Sequence, residues 1–217
     1  MTQPEQNGAL PSSSPPANSP TPGRPRDASI DARATEAVMQ LLGTLPYSAL
    51  TLDGVAAAAS TSKPALRRRW KSLPGVIVHT FISVLGTTPT PDTGCVHCDL
   101  VTGISNLAEA FEGSPITRAL PGLLSDLEKD PELRQRFLRD YFEARRATTR
   151  AVLERAVESG DIRPGIDMEL TLDLLAAPLY YRAFFGHQPI DAALAERTVL
   201  SVLNGVATVE WQRHHSL

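Results

Sequence analysis

Three observations in the sequence predict an all-helical protein. No stretch alternates apolar and polar residues convincingly at period two, so nothing reads as a strand. Apolar residues recur instead three and four apart, as in Leu100, Ile104, Leu107 and Phe111. The periodic runs also open on helix-start signals. Asp130-Pro131-Glu132 is the plainest: a capping carboxylate, a proline where no N–H is needed, and an acid in the first turn.

In chain order, residues 1–22 are low in complexity, with six prolines among Ser, Asn and Gln. They hold too little apolar area to offset the entropy of ordering, and are expected to be disordered. Arg24 and Arg26 then place two cations just ahead of the first helix. They suit a basic arm in a minor groove or the end of a solubilising linker equally well. The first helix is expected from Asp27 to about Leu45, with Ile30, Ala34, Ala37, Val38 and Leu41 as its core stripe and acids in its first turns. Tyr47 and Leu50 are expected to pack beneath the helices that follow.

The stretch LDGVAAAASTSKPALRRRWK, residues 52–71, reads as two short helices with a break. Thr51 caps the first, where Leu52, Val55, Ala56 and Ala59 recur at helical spacing. Ser62 caps the second, with Lys63 and Pro64 in its first turn. Leu66 and Trp70 share one face for burial, which turns Lys63, Arg67 and Lys71 outward on another. A tight pair of helices, the second narrow and basic, is what a major groove accepts; a bare charge run is otherwise a solvated face.

Leu73 to about Leu85 reads as a fourth, mostly apolar helix carrying His79, and residues 86–97 as a turn-rich linker. Helices follow over 99–112, over 115–128 with a kink at Pro121-Gly122, and over 131–159 with Gly160 just past its end. The last two are expected at 167–186 and 191–211. They look over-supplied with apolar surface for a terminal hairpin, given Leu172, Leu175, Ala176, Leu179 and Tyr180 on one and Leu194, Val199, Val202, Leu203 and Val206 on the other.

Formal charge over the 217 residues is only −3, but it is unevenly placed. Between Arg24 and Lys71 eight basic residues face four acidic ones, which leaves −6 on residues 72–217. A basic module on an acidic body suits a protein that meets phosphate with one end. The apolar fraction of 42% supports a sizeable core, and no apolar run approaches the roughly 18–20 residues of a membrane span. With no signal-peptide pattern and two cysteines, a cytoplasmic location without a disulfide framework is expected. Cys95, His97 and Cys98 would make three zinc ligands, but no second CxxC or HxxxH exists and adjacent His97 and Cys98 are poorly placed for one ion. The reading is of two unrelated small residues, with no metal and no cofactor. Nucleophile motifs and GxGxxG are absent too, so no enzyme is expected.

Over the segments DARATEAVMQLLGTLPYSAL and TLDGVAAAASTSKPALRRRW the chain resembles the DNA-binding domain of the tetracycline-repressor (TetR) family of bacterial regulators. The segments PELRQRFLRDYFEARRATTRAVLERAVESGDIRP and DMELTLDLLAAPLYYRAFFGHQPIDAALAERTV resemble a ligand-binding domain of one branch of that family. The resemblance implies a three-helix helix-turn-helix domain with its linking helix over 27–85, after a tail at 1–26. A linker at 86–97 and a ligand-binding and dimerisation domain of about five to six helices at 98–212 would follow. It implies a homodimer through the last two helices, a palindromic double-stranded operator, a small-molecule effector and a role as a ligand-responsive repressor. The alternative is a helical dimeric interaction or sensing protein whose DNA binding has weakened.

Position by position, the resemblance makes Thr51 a phosphate contact and Ser62 the recognition-helix cap. Lys63, Pro64 and Ala65 would read base edges: Lys63 as donor to guanine, Pro64 and Ala65 as apolar contacts to a thymine methyl. Arg67, Arg68 and Arg69 would meet phosphate, with Lys71 close by, and Trp70 would be the core aromatic. Departures stand at Arg67, where the family usually has Tyr, at Ala65 for Thr, at Ser60 for Gly and at Leu73 for Lys. The implied effector pocket draws on Phe111, Leu123, Leu127, Phe137, Tyr141, Phe142, Tyr181, Phe184 and Phe185. Read from the residues alone, those side chains are ordinary core.

Overall fold

The computed structural model describes residues 28–86 and 88–215. Among these the regular structure is helical, apart from one isolated antiparallel bridge between Ile162 and Ala207. Helix α1 (Ala28–Thr44) buries Ala34, Ala37, Val38 and Leu42, one face at the expected spacing. A single 3₁₀ turn (Tyr47–Ala49) leads to α2 (Leu52–Ala58), α3 (Lys63–Trp70) and α4 (Leu73–Leu85).

Helix α4 is the hinge pin of the molecule. It packs on α1 and α3 at one side and on α7, α8 and the segment after α8 at the other. Being covered on both sides, it buries Val76, Ile77, Val78, Phe81 and Leu85. The Phe81 ring meets Phe137 and Tyr141 edge-on, with centroids 5.5 and 4.8 Å away.

The rest of the chain forms the body: α5 (Val96–Phe111), α6 (Pro115–Arg118), α7 (Leu120–Leu127), α8 (Pro131–Phe137), α9 (Ala144–Ser159), α10 (Met168–Phe185), α11 (Ala192–Val206) and α12 (Val209–His215). Helix α5 is central, lying against α9, α10 and α11.

Four local expectations need correcting. The helix over 115–128 is broken rather than kinked: Pro121 lies in the first turn of α7, where its missing N–H has no carbonyl to serve. The helix over 131–159 is continuous but carries a π-helical stretch, Leu138–Glu143, between α8 and α9. Its end is as expected, with Gly160 left-handed at φ 85°. The last helix stops at Val206, because Ala207 turns extended to pair with Ile162; Thr208 then bonds Asp161 through its N–H and Gly160 through its hydroxyl. Finally, Cys95 and Cys98 are not unrelated. Three residues apart across the start of α5, with Cα atoms 5.3 Å apart, they form a disulfide.

Candidate nucleic-acid interface and effector cavity

Caps and one buried face position α3. The Thr51 hydroxyl accepts the Gly54 N–H at 3.0 Å, and the Ser62 hydroxyl accepts the Ala65 N–H at 3.3 Å. Leu66 and Trp70 are buried as expected. Ser60 takes the left-handed conformation that glycine occupies freely, at φ 48°. Its N–H reaches the Ala57 carbonyl while the Thr61 N–H reaches that of Ala56, a Schellman closure of α2. Ala57 and Ala58 stay exposed; Ala56 and Ala59 take the buried side.

The predicted DNA contacts divide into two groups. Thr51, Ser62, Pro64, Arg67 and Arg68 are exposed, Lys63 and Ala65 partly so. Arg67 and Arg68 have no hydrogen-bond or ion-pair partner among the described residues. Lys63 pairs with Asp53 at 2.7 Å, but both side chains are exposed, so the pair is weak enough to yield to a competing acceptor. Arg69 differs: it bonds Asp31 of α1 at 2.9 Å with only 12% of its side chain exposed. Lys71, left-handed at φ 63°, reaches Glu132 of the body at 3.0 Å. Arg24 and Arg26 lie outside the described residues.

Several contacts join this module to the body. Trp70 and His79 rings lie 5.0 Å apart, and burial above all holds the His79 imidazole below its ordinary pKa. The Tyr47 hydroxyl donates to Asp126 at 2.7 Å, and Gly122 faces the Tyr47 ring so closely that a Cβ there would sit 2.5 Å from it. Burial and the acceptor push the Tyr47 hydroxyl up, while the same bond, then Lys129, holds the Asp126 carboxyl down. Tyr47 therefore packs against α7, not beneath the helix pair.

A cavity of about 330 Å³ opens among α5, α9, α10 and the segment before α5. Ile104, Leu107, Leu172, Leu175 and Ala176 supply its apolar wall; Thr88, Thr90, Thr148, Thr149, Tyr180, Arg145, Arg146 and Asp173 supply polar atoms. Gly103 makes room for Thr90, whose side-chain atoms would lie 3.0 Å from a Cβ there.

Of the residues expected to surround an effector, the structure brings only Phe142 to this cavity. Phe111, Leu123, Leu127, Phe137 and Tyr141 are buried in the core instead, and Tyr141 places its hydroxyl 3.2 Å from that of Tyr180. Tyr181, Phe184 and Phe185 lie on the outward face of α10, 58%, 40% and 68% exposed. Aromatic content misled here. The polar run Arg145-Arg146-Ala147-Thr148-Thr149 inside a helix that is otherwise packed was the better signal.

A second, shallower groove runs between α10 and α11, lined by Leu170, Leu174, Pro178, Val202 and Val206 among others. Leu170, Leu174, Tyr181 and Phe185 fall three or four residues apart or close multiples of that, and all are exposed. The residues expected to over-supply this pair, such as Leu172, Leu175, Leu179, Leu194 and Val199, are instead buried within the protomer.

A family model described as "Tetracyclin repressor-like, C-terminal domain" matches residues 90–202. The HTH-type transcriptional regulator YdeS of Bacillus subtilis is 29% identical over 185 residues, 85% of this chain and 93% of its own. The DNA-binding transcriptional repressor TetR of Mycobacteroides abscessus is 29% identical over 167 residues, 76% of this chain and 87% of its own. Among solved structures, the TetR family transcription regulator SCO0332 aligns with a TM-score of 0.64 and 30% identity over 83% of this chain and all of that one.

Proposed function

The chain belongs to the TetR family of DNA-binding, ligand-responsive transcriptional regulators, and from that membership we propose how its parts divide the work. Residues 27–85 bind DNA and 98–212 sense and dimerise. Two copies join through the outward face of α10 with α11. They present two α3 helices to one side of a near-palindromic operator, whose half-site spacing the dimer sets. Lys63, Pro64 and Ala65 lie toward base edges, while Thr51, Arg67 and Arg68 lie toward phosphate. A small molecule in the cavity shifts α4 and so favours a dimer with the wrong spacing for the operator. A differential affinity of about 1–3 kcal/mol between the two geometries suffices for such repression. The site of action is the cytoplasm.

The observation that carries this reading is the pair of exposed, unpaired cations Arg67 and Arg68 on a short helix capped by Ser62. Arg67→Ala weakens binding to all DNA sequences and lowers the slope of affinity against salt by about 1, because one counterion fewer is released. An unchanged slope removes Arg67 from the phosphate contacts.

A second reading, a dimeric sensor with weakened DNA contacts, draws on Arg69 and Lys71 being engaged by Asp31 and Glu132. Selection of genomic fragments by the full-length protein separates the two. Recovery of one short palindrome supports the regulator; recovery of no common sequence supports the sensor.

A further inference from the structure

Arg145 carries a charge that the fold leaves unanswered. It lies two residues past the π-helical stretch, half-buried, and lines the cavity. Its Nη1 donates to the carbonyls of Leu85 and Gly86, both at 2.6 Å, and its guanidinium carbon sits 6.0 Å from the centre of the Tyr141 ring. Nε and Nη2 carry no hydrogen bond among the described residues, and no carboxylate there comes within ion-pair distance of Arg145. The neighbouring Arg146 is the opposite case. It meets Glu169 at 2.5 Å, Asp173 at closer range and Glu143 at 3.9 Å. The carboxylate that lines the cavity, Asp173, is thus already engaged.

A guanidinium cannot discharge itself by losing its proton, and carbonyl dipoles offset only part of the cost of holding it away from water. The space in front of it therefore favours a ligand that brings a negative charge. Its open Nε–Nη2 edge has the two-donor geometry that a carboxylate accepts side-on. Beyond that edge the wall is apolar: Ile104, Leu107, Leu172 and Leu175. The volume of about 330 Å³ holds about eleven heavy atoms at the about 30 Å³ of a liquid water.

The other edge of the same guanidinium holds the end of α4. Leu85 and Gly86 offer last-turn carbonyls that have no partner within the helix, at its negative pole. At the far end of α4, Gly75 touches the backbone of Trp70, the last residue of α3.

We propose that the cavity takes a small carboxylate with an apolar body, and that Arg145 bridges the ligand's carboxylate to the C-terminal carbonyls of α4. This rests on the cavity being the effector site and adds the ligand's chemical class and the residue that couples it to α4. Arg145 acts on DNA binding through α4 and is a positioning residue for it.

The test titrates the full-length protein with 3-phenylpropionate and with its uncharged amide, by calorimetry, while hydrogen exchange follows the last turn of α4. The acid binds at least about tenfold more tightly than the amide, as one charge-assisted contact predicts. It also slows exchange at the end of α4. Arg145→Met removes both the preference and the slowing, whereas Arg145→Lys keeps part of the preference. The comparison of acid with amide on the wild-type chain stands even if Arg145→Met does not fold. Equal binding of the two probes, abolished by the cavity-filling Ala176→Phe, overturns the charge proposal and leaves the cavity as effector site. Binding that Ala176→Phe does not touch overturns the cavity itself, and with it the proposal. A preference that survives Arg145→Met, or binding of neither probe, also overturns the proposal.

Discussion

Tyr47 ties the turn between α1 and α2 to the body through one hydroxyl, and its value can be read by removing that oxygen. The bond to Asp126 is charge-assisted, but Asp126 keeps a third of its side chain in water, so its worth is set nearer about 1 kcal/mol than the upper range for charged partners. Tyr47→Phe lowers stability by that amount at neutral pH, seen as a lower urea midpoint. Asp126 has a folded-state pKa below its ordinary 3.8. Its contribution is therefore complete above pH 3.8 and lost as pH falls through the folded value. The gap between variant and wild type closes over that acid range; a gap independent of pH assigns the loss to packing on Gly122 rather than to the bond.

At the scale of elements, the joint between α3 and α4 has no slack. A Cβ on Gly75 would lie 2.1 Å from the Trp70 carbonyl oxygen, and a backbone atom cannot swing aside as a flexible side chain can. Gly75→Ala forces the two helices apart. Overpacking of about 1–3 kcal/mol lowers the thermal midpoint by roughly 2–10 °C for a chain of this size, and DNA affinity falls with it. An unchanged midpoint would show that the joint gives way freely.

What was legible in the sequence follows from how local each signal is. Thr51, Ser62 and Asp130 announce their helices because a cap and the N–H that it serves lie three residues apart. Leu66 and Trp70 announce a buried face for the same reason. The cavity was not legible, since Thr90, Gly103, Arg145 and Leu172 come from four separate stretches of chain and meet only after folding. The engagement of Arg69 by Asp31 was hidden likewise, with 38 residues between them. Cys95 and Cys98 were close enough in sequence to be paired, yet the spacing alone also suits a helix start with no bond.

For the whole molecule, the decisive property is the uncovered face of α10. Leu170 and Leu174 are 53% and 49% exposed, beside Tyr181 and Phe185, a concentration of apolar surface that a monomer seldom leaves in water. Sedimentation of the wild type gives a dimer at micromolar concentration. Leu174→Arg gives a folded monomer, since the position is exposed and the core is untouched, and operator affinity drops because one α3 helix replaces two. A variant that stays dimeric places the contact elsewhere.

The π-helical stretch at 138–143 bears on how this chain tolerates changes of length. One widened turn shifts the phase of everything downstream by about 100°, the angle that one residue subtends in an α-helix. Deleting a single residue there would rewind the segment into ordinary helix with spectroscopic helicity intact. The run from Arg145 to Thr149 would then rotate away from the cavity and the end of α4. Substitutions along α9 are absorbed one side chain at a time, whereas a one-codon deletion upstream would disconnect sensing from DNA binding in a single step.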